Sequence, residues 1–90
     1  MIYREILPSQ ADDFQKLMRD NLWEMISQDG GQSEFIGWAY IMHWRLPTSE
    51  GESKEAEVWL HFSENQGVQA SHLEMNTAAK PLMDNLLSGW

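Results

Sequence analysis

Two segments in the middle of the chain place their large apolar residues at every second position, which is the pattern of a strand with one buried face. The first segment covers residues 35–46 and the second covers residues 57–63. The run between them, residues 47–54, is polar and contains proline, glycine and serine, which are typical of turns. We therefore predict an antiparallel hairpin of two strands joined by this loop.

A turn centred near Gly51 fixes which side chains of the hairpin share a face. Opposed residues of an antiparallel pair point to the same side of the sheet, and a slip of one residue would exchange the two faces. The predicted core face carries the even-numbered apolar residues Ile36, Trp38, Tyr40, Met42, Trp44, Leu46, Val58, Leu60 and Phe62. The opposite face mixes aromatic, aliphatic and charged side chains and is predicted to be half exposed: Ile41, His43, Arg45, Glu57, Trp59 and His61.

A first helix is predicted over residues 10–28. Ser9 is placed to cap it, and Gly30 with Gly31 is expected to end it, because glycine readily takes the left-handed conformation that closes helices. Its apolar residues recur at spacings of three and four: Phe14, Leu17, Met18, Leu22, Met25 and Ile26.

A second helix is predicted to begin near Thr77 or Ala78 and to end at Gly89. Pro81 then falls in or next to the first turn, where proline is tolerated. Residues 68–75 fit a strand, or alternatively two turns of a helix that continues through Pro81. We prefer the strand, since an internal proline costs a helix about 3 kcal/mol.

Together these elements predict an α+β fold for a single small domain over residues 1–90. The expected architecture is an antiparallel three- to four-stranded meander sheet with two helices packed on one face, in the order α-β-β-β-α. Residues 2–7 supply the fourth strand at the N-terminal edge, or form an extended arm.

Composition excludes several classes of function. Six basic and fourteen acidic residues give a net charge of −8, the wrong sign for direct binding of a nucleic-acid backbone. No cysteine is present, which excludes a disulfide framework, a thiolate zinc site and a cysteine nucleophile. The chain shows neither a long apolar run nor the pattern of a signal peptide at its start, so we expect a cytoplasmic protein without membrane contact.

The half-exposed sheet face is the leading candidate for function. A large aromatic residue surrounded by polar groups is typical of the centre of a protein interface, and Trp59 occupies such a position unless another part of the chain covers it. We predict an interface formed by Phe35, Ile41, His43, Trp59 and His61. The chain would act as a homodimer, or as a regulator or inhibitor of another protein.

A second hypothesis places the function on the acidic surface. Asp12, Asp13 and Asp20 of the first helix would then mimic the phosphates of a nucleic acid and inhibit a DNA-binding protein, in the way that small phage or mobile-element proteins do. Solvation of the helix is the simpler interpretation of the same charges.

A third hypothesis is a small metal-binding or enzymatic accessory that uses His43 and His61, which are diagonal neighbours in the predicted register, together with Glu57. His72 is isolated in the sequence and receives no predicted role. No catalytic, phosphate-binding or calcium-binding motif occurs. We therefore predict no catalytic residue, no cofactor and no resident metal, and assign no family.

Overall fold

The computed structural model describes residues 1–32, 38–46 and 55–90, apart from the side chains of residues 31, 32 and 38. The elements of these residues are β1 (Ile2–Ile6), α1 (Ala11–Asp20), β2 (Glu24–Gln32), β3 (Trp38–Leu46), β4 (Ala56–Asn65), β5 (Val68–Met75) and α2 (Lys80–Leu86). The strands form one antiparallel sheet in the order β1-β5-β4-β3-β2. The α+β class is confirmed, with five strands in place of the predicted three to four.

The register of the central hairpin matches the prediction. Trp44 lies opposite Val58, and the same register pairs Met42 with Leu60 and Tyr40 with Phe62. Trp44, Val58 and Leu60 are almost completely buried, so the even-numbered face is the core face. The predicted loop at 47–54 and the predicted start of β3 at 35–37 lie outside the described residues.

The prediction of a helix over residues 10–28 is wrong in its second half. Helix α1 ends at Asp20, and the chain then enters β2, which pairs with β3 along its length. Met25 and Ile26, assigned to the apolar stripe of that helix, are instead more than 40% exposed on a strand. The backbone of β3 has hydrogen-bonding groups on both edges, and pairing with β2 satisfies the edge that β4 leaves open.

The end of α1 is set by Leu22 and not by the predicted glycines. Leu22 has a φ of 68°, which turns the chain out of the helix although leucine disfavours that region. Gly30 does not end a helix: it lies within β2 opposite Tyr40, and a Cβ atom at this position would be 2.2 Å from the carbonyl oxygen of Ala39. Glycine is therefore needed there for close approach of two strands. Nor does Ser9 cap the helix, since it lies in a short 3-10 turn and the N-cap residue is Gln10, without a side-chain cap bond.

The remaining elements follow the predictions more closely. Of the predicted residues 2–7, Ile2–Ile6 form the edge strand β1, which pairs with β5, and residues 68–75 are the strand β5. Helix α2 is shorter than predicted, but Pro81 lies in its first turn as expected.

Both helices bury their apolar residues against the core face. Phe14 and Met18 of α1 and Met83 of α2 are completely buried, in one cluster with the even-numbered residues of β3 and β4. Leu82, in contrast, is exposed. Neither α1, with ten residues, nor α2, with seven, approaches the roughly 20 apolar residues that a helix needs to span a membrane, and the rest of the described chain contains no such helix.

Candidate functional site

The sheet side opposite the helices, which we call the open face, carries the odd-numbered residues of β3 and β4. The neighbouring strands extend it by cross-strand pairing, because opposed residues share a side of the sheet. One row across the sheet consists of Tyr3, Glu74, Trp59, His43 and Ser27, and the next row consists of Glu5, His72, His61, Ile41 and Asp29. A β-bulge between Met25 and Ser27 shifts β2 by one residue, and this brings Ser27 and Asp29 onto the open face.

Four of the five predicted interface residues lie together on this face. Ile41, His43, Trp59 and His61 line one shallow depression of about 440 Å³, whose other walls come from Met1, Ser27, Asp29 and Glu74. Ile41 is 40% exposed, and the other three are partly exposed. The fifth predicted residue, Phe35, lies outside the described residues.

The ring of Trp59 stacks on the ring of its cross-strand neighbour on β3. The rings of His43 and Trp59 stack with centroids 4.4 Å apart and planes inclined by 9°. His43 Nε2 also lies 3.4 Å from Glu57 Oε1. The stacked His43 ring therefore covers one face of the indole while part of Trp59 stays exposed.

A second cluster lies on β4 and β5. It includes His72, to which the sequence analysis gave no role. His61 and His72 are directly opposed, with ring centroids 4.4 Å apart and planes inclined by 10°. Glu74 contacts both rings: its Oε2 lies 2.8 Å from His61 Nε2, and its Oε1 lies 3.8 Å from His72 Nε2. Tyr3 stacks on the other side of His72 at 4.7 Å.

The pKa of His72 is lowered from its usual value. Burial is the main cause and the neighbouring His61 the second, while the carboxylates of Glu74 and Glu5 act in the opposite direction. The environment thus favours the neutral imidazole, which has a free nitrogen lone pair.

A signal for His72 was present in the sequence. Gln66 and Gly67 both have positive φ angles, of 53° and 79°, and form a two-residue turn between β4 and β5. Gly67 is the residue type that the second position of a two-residue hairpin turn prefers, and such a turn places residue 72 opposite residue 61. Because residues 68–75 also fitted a helix, the sequence analysis did not place His72 opposite His61.

The predicted metal ligands are only partly brought together. His61 groups with His72 and Glu74, whose ligand atoms all lie within 4.8 Å of one another. His43 and Glu57 form the separate contact beside Trp59 and are not members of that group.

Carboxylates dominate the charge of the open face. Glu5, Glu74, Glu57 and Asp29 all belong to it, whereas Arg45 is the one lysine or arginine that the described strands place there. Arg45 is already paired, since its Nε lies 2.9 Å from Glu55 Oε2. The face therefore combines an aromatic centre with an excess of negative charge.

The three residues of the predicted acidic surface do not all line one groove. Asp12 and Asp13 lie in the first turn of α1, where negative charge stabilises the helix dipole, and Asp20 is its last residue. All three are exposed. Asp13 and Asp20 line a groove with Lys16, whereas Asp12 lies near Tyr40, whose pKa is raised by burial and then by the charge of Asp12.

Comparisons with known proteins identify no relative: the chain matches no family model, no curated protein and no solved structure.

Proposed function

We propose that this chain is a cytoplasmic, non-enzymatic interaction protein that regulates or inhibits another protein by docking it on the open face. The observation that carries the proposal is the depression lined by Ile41, His43, Trp59 and His61. It lies on the side of the sheet opposite the helices, and among the described residues these four side chains keep part of their surface exposed.

The aromatic centre supports docking through its geometry. Interface hot spots are enriched in tryptophan, and they lie in patches whose polar rim excludes water. Trp59 has such a rim in Glu57, Glu74 and Asp29. Its stacking on His43 fixes the indole before binding, which reduces the entropy that association must remove.

The charge of the face indicates the chemistry of the partner. Two copies of the open face brought together would oppose carboxylate to carboxylate, and the chain as a whole carries a net charge of −8. Complementary potentials favour association and like charges oppose it. The proposed partner is therefore a different protein that presents an apolar patch bordered by lysine or arginine, and self-association is the competing outcome.

Site-specific photo-cross-linking in cells tests this proposal. A benzoylphenylalanine at position 41 samples the open face, and the same probe at position 16 samples α1 between Asp13 and Asp20. We expect a discrete adduct from position 41 that contains a second protein, and none from position 16. Binding to the identified partner should also weaken modestly as salt rises, because the rim charges are exposed.

Other outcomes would contradict the proposal. An adduct of twice the chain mass at position 41, with a dimer in sedimentation equilibrium, would show self-association instead. An adduct from position 16 alone would move the interface to the acidic helix and support phosphate mimicry. No adduct from position 41 would mean that the open face docks no protein.

A further inference from the structure

We propose that His61, His72 and Glu74 bind one zinc ion on the open face, with a fourth coordination position left to water. This inference does not depend on the docking proposal. It rests on side chains of β4 and β5 that the fold already brings together.

The three residues offer the right donor atoms. Two imidazole nitrogens and one carboxylate oxygen form a ligand set that zinc accepts, and sites with three protein ligands keep the fourth position open. Calcium and magnesium prefer sites made of oxygen donors, so the two imidazoles favour a transition metal.

The present distances are close to those that an ion requires. Zinc–ligand bonds of about 2.0–2.2 Å place two ligand atoms of a tetrahedral ion about 3.4 Å apart. His61 Nε2 lies 2.8 Å from one carboxylate oxygen of Glu74 and His72 Nε2 lies 3.8 Å from the other, and one ligand atom from each residue fits within 4.8 Å. The two imidazole planes are stacked, so binding requires the rings to rotate until both nitrogen lone pairs point at one ion, and all three side chains are partly exposed.

The backbone supports this geometry because both histidines are on strands. His61 and His72 are paired in the middle of the β4–β5 ladder, flanked by Leu60–Leu73 and Phe62–Ser71 pairs that face the core. The Ser71 hydroxyl also donates a hydrogen bond to the His61 carbonyl oxygen at 2.9 Å. Strands position ligands more accurately than loops do, so little ordering is needed on binding.

Two groups of β1 lie next to the cluster. Tyr3 stacks on the His72 ring, and Glu5 is the cross-strand neighbour of His72.

Zinc titration of the full-length chain tests the proposal. The protein is treated with a chelator, dialysed, and titrated with zinc chloride against a chromogenic chelator of known affinity. We expect one ion per chain, and a loss of affinity of about 10-fold or more in each of the variants His61→Gln, His72→Gln and Glu74→Gln. The matched control is His43→Gln, which removes an imidazole from the same face outside the cluster and should leave zinc affinity unchanged.

A second measurement localises the ion without any variant. Zinc should shift the imidazole proton resonances of His61 and His72 in the wild-type chain and leave those of His43 in place. This readout remains decisive if a ligand variant fails to fold.

Several results would overturn the inference. One is the lack of saturable one-to-one binding by the wild-type chain. Another is an equal loss of affinity in the His43 control, which would indicate diffuse binding to exposed imidazoles. A third is zinc binding that persists at full strength without His72.

Discussion

His43 and Trp59 are directly opposed on β3 and β4, and their rings stack within 4.4 Å on the side of the sheet opposite the helices. The contact restrains a partly exposed indole, and His43 Nε2 lies 3.4 Å from Glu57 Oε1. This pair is the centre of the proposed docking surface, so it provides the most direct test of that surface.

Trp59→Ala should weaken binding of the partner recovered by cross-linking by about 30-fold or more, since truncation of a hot-spot residue costs about 2 kcal/mol or more. The fold should persist, because the variant loses a surface stacking contact worth about 0.5–1.5 kcal/mol. Calorimetric titration measures the first effect and urea denaturation the second. Trp90→Ala is the matched control, since Trp90 lines a groove with α1 residues. Unfolding of the Trp59 variant would identify the indole as core.

Gly30→Ala should lower the free energy of unfolding by about 2–4 kcal/mol, since it combines a clash with a strained backbone. The added Cβ would lie 2.2 Å from the carbonyl oxygen of Ala39, and the φ angle is 144°. Gly67→Ala is the control: its φ is also positive, at 79°, but a Cβ there meets nothing within 4 Å. Urea denaturation should rank Gly30→Ala as clearly the more damaging; equal losses would argue against the β2–β3 pairing.

Leu22→Gly should stabilise the protein by about 0.5–1 kcal/mol, because glycine relieves the penalty of a positive φ. The leucine side chain is 80% exposed and contributes little packing. If residue 22 were instead inside a continuing helix, glycine would destabilise it by about 1 kcal/mol. The sign of the change in thermal unfolding therefore distinguishes the two structures. Asn21→Gly should destabilise the protein in both structures. Asn21 has a negative φ, so glycine relieves no strain there, and the variant loses the hydrogen bond that the Asn21 side chain donates to the Leu17 carbonyl oxygen.

Asn76→Ala should lower the free energy of unfolding by about 2–4 kcal/mol, as three hydrogen bonds are lost at about 1 kcal/mol each. The Asn76 side chain accepts from the amides of Glu57 and Ala79 and donates to the Glu55 carbonyl, so it joins β4 to the start of α2. Asn85→Ala removes an exposed asparagine of α2 and should change stability by less than about 0.5 kcal/mol. Similar losses in both variants, measured by urea denaturation, would contradict this role.

The central hairpin could be predicted because one face of it is so strongly apolar. Trp44, Val58 and Leu60 are buried on the same side of the sheet in this register, and a slip of β4 by one residue would move Val58 and Leu60 to the other face. The grouping of Ile41, His43, Trp59 and His61 followed from the same register, and their common depression is the structural consequence.

The segment after α1 could not be assigned in the same way. Leu22, Met25 and Ile26 continue the helical spacing of Phe14 and Met18, so the local pattern favours a longer helix. Pairing with β3 overrides that preference, since the edge of β3 needs backbone partners and the three side chains add little to the core. A positive φ at a leucine has no sequence signal at all.

The cluster of His61, His72 and Glu74 could not be predicted because residues 68–75 had not been assigned to a strand. Once residues 68–75 are a strand behind a Gln66–Gly67 turn, His72 is opposite His61 and Glu74 is its diagonal neighbour. As long as those residues could be helical, His72 had no defined neighbours and no role.

The irregularity in β2 has a consequence for how these molecules behave at high concentration. β2 is an outer strand of nine residues, and beyond it the described chain provides no further strand. Such strands recruit copies of themselves into growing intermolecular assemblies when their amides and carbonyls repeat regularly. The extra residue Ile26 interrupts this repeat, so an incoming chain meets an unbroken template only over residues 27–32. Deletion of Ile26 would extend the template over the whole strand, and we expect it to favour pairing between chains.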